Sequence, residues 1–448
     1  MALLEDKKMS KEIFTLALPA IFEMLLHTLV WTFDTGMVGR LTPEAISSVT
    51  LGSQIMFTVS NIFGALGVGT TAMISRNIGA MNTERAENVA VQAISLGVVI
   101  SMIVGSVGII FSKNIFYRLV NDIKVVKLGT EYLRIVFIGS FFLIPTMIGN
   151  SILRGAGNTY IPMISAATAN IFNIVGDYVL IFGKFGFPRM ETKGAAIATG
   201  FGQVVGAIIT FYYLFRKNPY IQVRIKNLFK FNGETLNSLV NLSFPAILEV
   251  FMNEGSRLVS SFWIAQLGTI AYASHSITVA AESISFMPGY GFAIAATTLV
   301  GQNLGSKNVD RAEKSVKAST YYAIFLMGIV GMLFFIVPYP IMRLFSSDKD
   351  TVLLASKCLR IGAFEQIPTA IGMTLSGALK GAGDTKGPFR ISLITNFLVR
   401  LPLIFLIVYA FKLPLIYIWI ATNIQYLVEA ILMYIRYKKG SWKEILIN

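Results

Sequence analysis

The feature that most restricts this chain is a succession of apolar stretches, each close to the roughly 20 residues an α-helix needs to cross a bilayer. About twelve are legible, centred near Leu25, Phe57, Ile100, Phe142, Val175, Val205, Phe251, Ser283, Met327, Thr369, Ile404 and Tyr426. In lipid a backbone must satisfy its own polar groups, and helices do so within each span. The expected fold is therefore an all-α integral membrane protein with twelve transmembrane helices. Composition agrees. Only 14% of the 448 residues are charged and 54% are hydrophobic, against about 25% charged in a soluble domain. A soluble globule of this size would lack the charges to cover its surface.

The formal charge is +14, which basic loops between apolar spans explain without nucleic acid. The N-terminus, the even-numbered loops and the C-terminus hold 22 Lys and Arg, and the odd-numbered loops 14. That bias places both termini in the cytoplasm and the protein in the inner (plasma) membrane, although Lys113, Arg118, Lys124 and Lys127 pull against it. No small-residue cleavage site follows the first apolar run, so it reads as a retained span and not a signal peptide. The single Cys358 excludes an intramolecular disulfide, and two histidines are too few for a histidine-based metal centre. Neither a zincin nor a Gly-x-Ser-x-Gly motif is present. An enzyme is not expected.

The chain also repeats itself. A shift of 226 residues places Leu18-Pro19-Ala20-Ile21-Phe22-Glu23 on Phe244-Pro245-Ala246-Ile247-Leu248-Glu249, and Asn77-Ile78-Gly79 on Asn303-Leu304-Gly305. It places Arg85-Ala86-Glu87 on Arg311-Ala312-Glu313. It also sets Leu153-Arg154-Gly155-Ala156-Gly157-Asn158-Thr159 on Leu379-Lys380-Gly381-Ala382-Gly383-Asp384-Thr385. Six spans per half give the halves one topology, as in parallel repeats that rock around a central site. The reading is two parallel six-helix bundles, 1–215 and 234–448, joined by a basic cytoplasmic linker, 216–233, that includes Lys217.

Eight acidic residues fall inside the spans: Glu23, Asp34, Asp177, Glu249, Glu254, Glu282, Glu365 and Glu429. A charge at the bilayer centre costs about 2.5–3.5 kcal/mol on insertion scales, so a cavity or a buried pair is the default. Glu23, His27, Trp31 and Asp34 lie within roughly 80° on the first span. Asn173 and Asp177 share a face of the fifth, with Asn170 one turn earlier. If these faces meet they form an oxygen-rich pocket suited to a proton or a hard cation; the alternatives are a helix cap or a pairing with a buried donor. For Glu23 a solvated interfacial position competes with a function. Ser260 and Leu403 stand where Asp34 and Asp177 would repeat, so the acidic pocket is not duplicated. The second half offers Glu254 with Arg257, His275 with Glu282, and Asn396 with Arg400 as a possible second polar site. Glu254–Arg257 reads as a structural pair, and His275–Glu282 as either a protonatable site or a core pair.

These features resemble the MATE (multidrug and toxic compound extrusion) family. The Leu-Pro-Ala opening, Val30-Trp31-Thr32-Phe33-Asp34-Thr35, Gly301-Gln302-Asn303-Leu304-Gly305 with Arg311-Ala312, the Leu-Arg-Gly-Ala-Gly-Asn-Thr segment and Gly194-Ala195-Ala196-Ile197-Ala198-Thr199 carry the likeness, in order, over nearly the whole chain. The resemblance implies export of cationic lipophilic compounds in exchange for protons or sodium. In the DinF-like branch it implies a first-half site of Asp34, Asn173, Asp177 and Thr199, the first three holding the metal if the ion is sodium. The NorM-like branch uses acids in the seventh and tenth spans; Glu254 would serve as one, but Thr369 occupies the other position, which favours the DinF-like branch. Beyond H+ or Na+ no cofactor is expected, and a monomer is. Two readings stand beside antiport. A flippase for a lipid-linked precursor would use cavity Arg and Lys, for which Arg257 and Arg400 are the candidates against eight acids. A channel would usually repeat its pore lining, which the unequal halves do not.

Overall fold

The computed structural model describes residues 7–216 and 221–446. Among the described residues it is helical without strands; Lys217 lies outside them. In the first half α1 (Lys7–Val38), α2 (Pro43–Gly64), α3 (Leu66–Gly79), α4 (Thr83–Leu119), α5 (Ile123–Gly155), α6 (Tyr160–Phe182) and α7 (Glu191–Phe215) follow one another. In the second half α8 (Gly233–Ala265), α9 (Thr269–Ser285), α10 (Met287–Gly305), α11 (Val309–Ile336) and the short α12 (Pro338–Arg343) precede α13 (Lys349–Gly362) and α14 (Gln366–Gly381). The chain continues through α15 (Lys386–Ile394), α16 (Leu401–Phe405) and α17 (Leu415–Lys438).

Among the described residues ten stretches are long and apolar enough to cross a bilayer, and α9 with α10, bent by 40°, makes an eleventh. The expected twelfth, near Thr369, does not qualify. A 3-10 turn at Ala363–Glu365 breaks it between α13 and α14, and Lys349, Asp350, Lys357 and Arg360 make α13 amphipathic. Prolines elsewhere are absorbed differently. The run from Lys386 to Ala410 passes Pro402 by loosening into π-helical segments at Thr395–Arg400 and Leu406–Ala410, which re-satisfies carbonyls left without a donor.

The repeat is visible in backbone detail. Asn82 caps α4 through the Arg85 amide at 3.0 Å, and Asn308 caps α11 through the Arg311 amide at 3.0 Å. Gly157 and Gly383 take φ of 93° and 95°, a left-handed turn after α5 and α14 that favours glycine. The amides that follow close the same bond, Asn158 N to Leu153 O at 2.8 Å and Asp384 N to Leu379 O at 2.9 Å.

The chain forms two compact units. The second-half unit takes the chain up to Ile21, Ser75–Met81 and everything from Asn241; the first-half unit takes Phe22–Ile74 and Asn82–Val240. The division thus departs from a single cut at the linker, because α1 and α3 are each shared. Within the second-half unit, Phe14 packs on Phe292 and Tyr322 with centroids 5.9 and 4.7 Å away, and Glu12 pairs with Arg311 at 2.8 Å. Helix α4 illustrates the first-half unit. It exposes Met102, Ile103, Ile110 and Phe111 and buries Gly105, Gly108 and Ser112. The glycines admit the rings of Phe141 and Phe137. An apolar outside over a small-residue seam is how helices pack in lipid.

Candidate functional site

In the first-half unit α6 and α7 approach closely because both carry small residues where they touch. A Cβ at Gly202 would lie 2.7 Å from the Ala169 carbonyl oxygen, and one at Gly176 would lie 2.9 Å from the Ala198 Cβ. That approach sets Asn173 beside Thr199. The Asn173 amide can turn two ways. In one, its nitrogen donates to Thr199 Oγ1 at 3.3 Å. In the other, it donates to Asp34 Oδ1 at 3.2 Å while its oxygen accepts from the Thr199 amide at 3.2 Å, which satisfies both ends. Thr199 Oγ1 donates to the Ala195 carbonyl at 2.9 Å.

Asp34, one turn before the end of α1, and Asp177, just over a turn before the end of α6, have their carboxyl groups in hydrogen-bonding contact. Two carboxylates cannot share such a contact without a proton or cation between them. Asp177 is 1% exposed and its Oδ1 has no hydrogen-bond partner; Asn170 Nδ2, one turn from Asn173, has none either. Two carboxylates with amide and hydroxyl oxygens are the hard donors that sodium prefers. Among the described residues no group of three or more His, Cys, Asp or Glu is placed to hold a metal ion. The structure thus brings Asp34, Asn173, Asp177 and Thr199 into one cluster. Sequence reasoning missed Tyr132, which lies within electrostatic reach of both aspartates and whose hydroxyl is 2.8 Å from Ser53 Oγ. Its signal was faint: an aromatic ring facing Gly52 across α2 and α5.

The corresponding place in the second half is neutral. Asn253 Oδ1 accepts from Ser392 Oγ and Asn396 Nδ2, each at 2.7 Å, and Ser260 Oγ donates to the Ser256 carbonyl at 2.8 Å. The second polar group lies elsewhere in that unit. Arg257 has Tyr426, Glu254, Tyr290 and Glu282 as electrostatic neighbours; Arg400 has Tyr426, Arg257, Glu282 and Glu429. His275 stands against Trp419, centroids 5.7 Å apart, and within reach of both arginines. All five residues named from the sequence are therefore neighbours, and Tyr290 and Tyr426 join them without having been foreseen.

Glu23 is not at a solvated interface. It is 3% exposed and ion-paired with Arg154 at 2.6 Å. Its repeat counterpart does the same: Glu249 pairs with Lys380 at 2.8 Å. Both pairs join residues 131 apart. Of the other residues on that face of α1, His27 is an electrostatic neighbour of the Glu23–Arg154 pair and Trp31 is 61% exposed.

The MatE family profile matches residues 19–179 and 245–406, one copy in each half. A probable multidrug resistance protein NorM of Thermotoga maritima is 32% identical over 444 residues, covering 98% of this chain and 94% of that protein. The uncharacterized transporter YisQ of Bacillus subtilis is 26% identical over 440 residues, covering 98% and 95%. Among solved structures, a MATE in complex with MaL6 superposes with a TM-score of 0.90 at 24% identity, covering 98% of each chain. An outward-facing multidrug resistance MATE family transporter of the MOP superfamily gives the same TM-score and identity, covering 98% and 97%. With the tandem profile, the full-length relatives and the shared fold in agreement, the chain belongs to the MATE family of membrane transporters.

Proposed function

We propose that this protein is a secondary antiporter of the plasma membrane, with both termini cytoplasmic, that exports lipophilic cations in exchange for protons or sodium. The observation that carries the reading is the Asp34–Asp177 contact, held by Asn173 and Thr199 inside the first-half unit. The multidrug names of the relatives support the cargo class. Presence of both aspartates, with Thr369 in place of a tenth-span acid, supports the DinF-like branch even though the Thermotoga relative bears the name NorM.

The mechanism follows from charge. With no ion bound the two carboxylates repel at short range; one proton, or one sodium held also by the Asn173 and Thr199 oxygens, removes that repulsion. In the outward-open state the pair takes up its ion and the cationic substrate leaves. The loaded protein returns inward, discharges the ion, and regains a negative pair that favours the next cation. Alternation of this kind needs each ligand to bind the two states unequally.

The test uses proteoliposomes and ethidium, a fluorescent lipophilic cation, under an imposed proton gradient and separately a sodium gradient. Gradient-driven transport that disappears in Asp34→Asn, with the variant still inserted and folded, is the expected result. Wild-type rates in Asp34→Asn would remove that residue from the coupling step.

A further inference from the structure

The duplicated ion pairs differ in one respect that bears on coupling. In the first half Glu23 meets Arg154, a base that stays charged at any physiological pH. The 226-residue shift carries Glu23 to Glu249 and Arg154 to Lys380. Beyond the shorter connection before α17 the offset becomes 223, which matches the buried faces of α7 and α17 and sets Glu429 on Gly206. The second copy therefore has a second carboxylate where the first has a glycine. Glu429 lies within electrostatic reach of Glu249 and Lys380, on α17 where it packs along α14.

Its surroundings are specific. Gln425 Nε2 donates to Glu429 Oε2 at 2.8 Å, and Lys380 Nζ donates to Glu249 Oε1 at 2.8 Å. Glu249 Oε2 and Gln425 Oε1 are buried without a hydrogen-bond partner. Arg400, from the π-helical segment, is the other facing cation. It is shared with Arg257, Glu282 and Tyr426 and so does not belong to Glu429 alone. From the turn before α14, Glu365 engages Asn423 at 3.3 Å. Counting the triad itself, two carboxylates face one ammonium. The first copy, one carboxylate and one guanidinium, is balanced; the second carries an extra negative charge inside a membrane span, where uncompensated charge is costly.

We propose that Glu249, Lys380 and Glu429 form a second proton-carrying site, loaded and unloaded once per cycle in addition to the Asp34–Asp177 pair. Binding is the addition of one proton to a carboxylate oxygen of Glu249 or Glu429, with the other carboxylate kept by Lys380. Release returns that proton to water on the cytoplasmic side. The site rests on the antiport reading and adds one proton to its stoichiometry. Lys in place of Arg suits the task, since an ammonium rotates between two carboxylates where a guanidinium would fix on one.

Stoichiometry is read from the reversal potential of ethidium transport in proteoliposomes, and independently from the protons released when ethidium binds the purified full-length protein in weakly buffered detergent. Glu429→Gln removes the second carboxylate and leaves a neutral amide of similar size in its place. It is expected to keep gradient-driven transport while losing one proton per substrate in both readouts. Glu429→Asp, which keeps the carboxylate, should retain the wild-type count and guards against a misfolded Gln variant. Glu429→Gln with an unchanged count in both readouts overturns the second site and leaves the Asp34–Asp177 reading standing. A wild-type protein that shows no gradient-driven transport sinks both.

Discussion

The Glu23–Arg154 pair makes a quantitative claim about what holds the first-half unit together. Glu23 sits on α1 and Arg154 at the end of α5, with side chains 4% and 18% exposed and 2.6 Å between them. Unit charges about 4 Å apart at an effective dielectric near 20 attract by about 4 kcal/mol, and stripping one member from a buried pair costs about 3–5 kcal/mol. Arg154→Met should therefore destabilise the protein by about 3–5 kcal/mol, because it strands a buried carboxylate. At about 2–4 °C per kcal/mol for a unit of some 200 residues, the thermal midpoint should fall by roughly 6–20 °C. The assay is fluorescence-detected size exclusion after heating in detergent, at one fixed heating time because unfolding of such proteins is irreversible. Glu23→Gln with Arg154→Met should recover much of the loss, giving a coupling of about 2 kcal/mol or more. Single variants that each shift the midpoint by less than about 3 °C, and add in the double, would refute the reasoning.

Three further outcomes follow from the same geometry. Lys380→Met strands buried Glu249 beside Glu429 and should cost at least what Arg154→Met does, about 3–5 kcal/mol; a midpoint that falls much less than that of Arg154→Met counts against that arrangement. Thr199→Val removes an oxygen from the Asp34 cluster and should raise the half-saturating concentration of the coupling ion about two- to tenfold, the range of one net hydrogen bond, read from initial transport rates across an ion titration. Asn82→Ala and Asn308→Ala remove repeat-related caps and should each cost about 1 kcal/mol; midpoints that differ widely between the two would show that the halves do not share that load.

The sequence carried the helices, the repeat and the first-half cluster for identifiable reasons. Asp34 and Asp177 stand out because lipid excludes such residues. The shift of 226 is legible because the turns at Gly157 and Gly383 need the same backbone and so kept the same residues. What stayed hidden depends on contacts between distant segments. Arg154 lies at a span end, where a basic residue reads as an interfacial anchor, yet α5 turns it onto Glu23. Tyr132, Tyr290 and Tyr426 look like ordinary span aromatics until the charged groups around them are placed. The break in the span near Thr369 has another cause. Hydropathy averaged over a window is blind to a 3-10 turn that splits α13 from α14.

The divergence of the halves has a physical logic. Two identical bundles would give an ion the same affinity on each side of the pseudo-symmetry axis, and a transporter works by making states unequal. Here the halves share the elements that fix the backbone: the Asn caps, the glycine turns and one buried acid–base pair each. They differ where charge would do work. Asp34 and Asp177 in the first half correspond to Ser260 and Leu403 in the second, and Gly206 in the first corresponds to Glu429. Each exchange adds an unbalanced carboxylate to one half and a neutral residue to the other, at two different levels of the helices. A chain that duplicated its scaffold and then placed its surplus acids at non-equivalent positions has two places where a bound cation changes the electrostatic energy of one bundle alone. That is the condition for an ion to bias rocking between states, and neutral substitution at either place should remove its own share of the bias without touching the other.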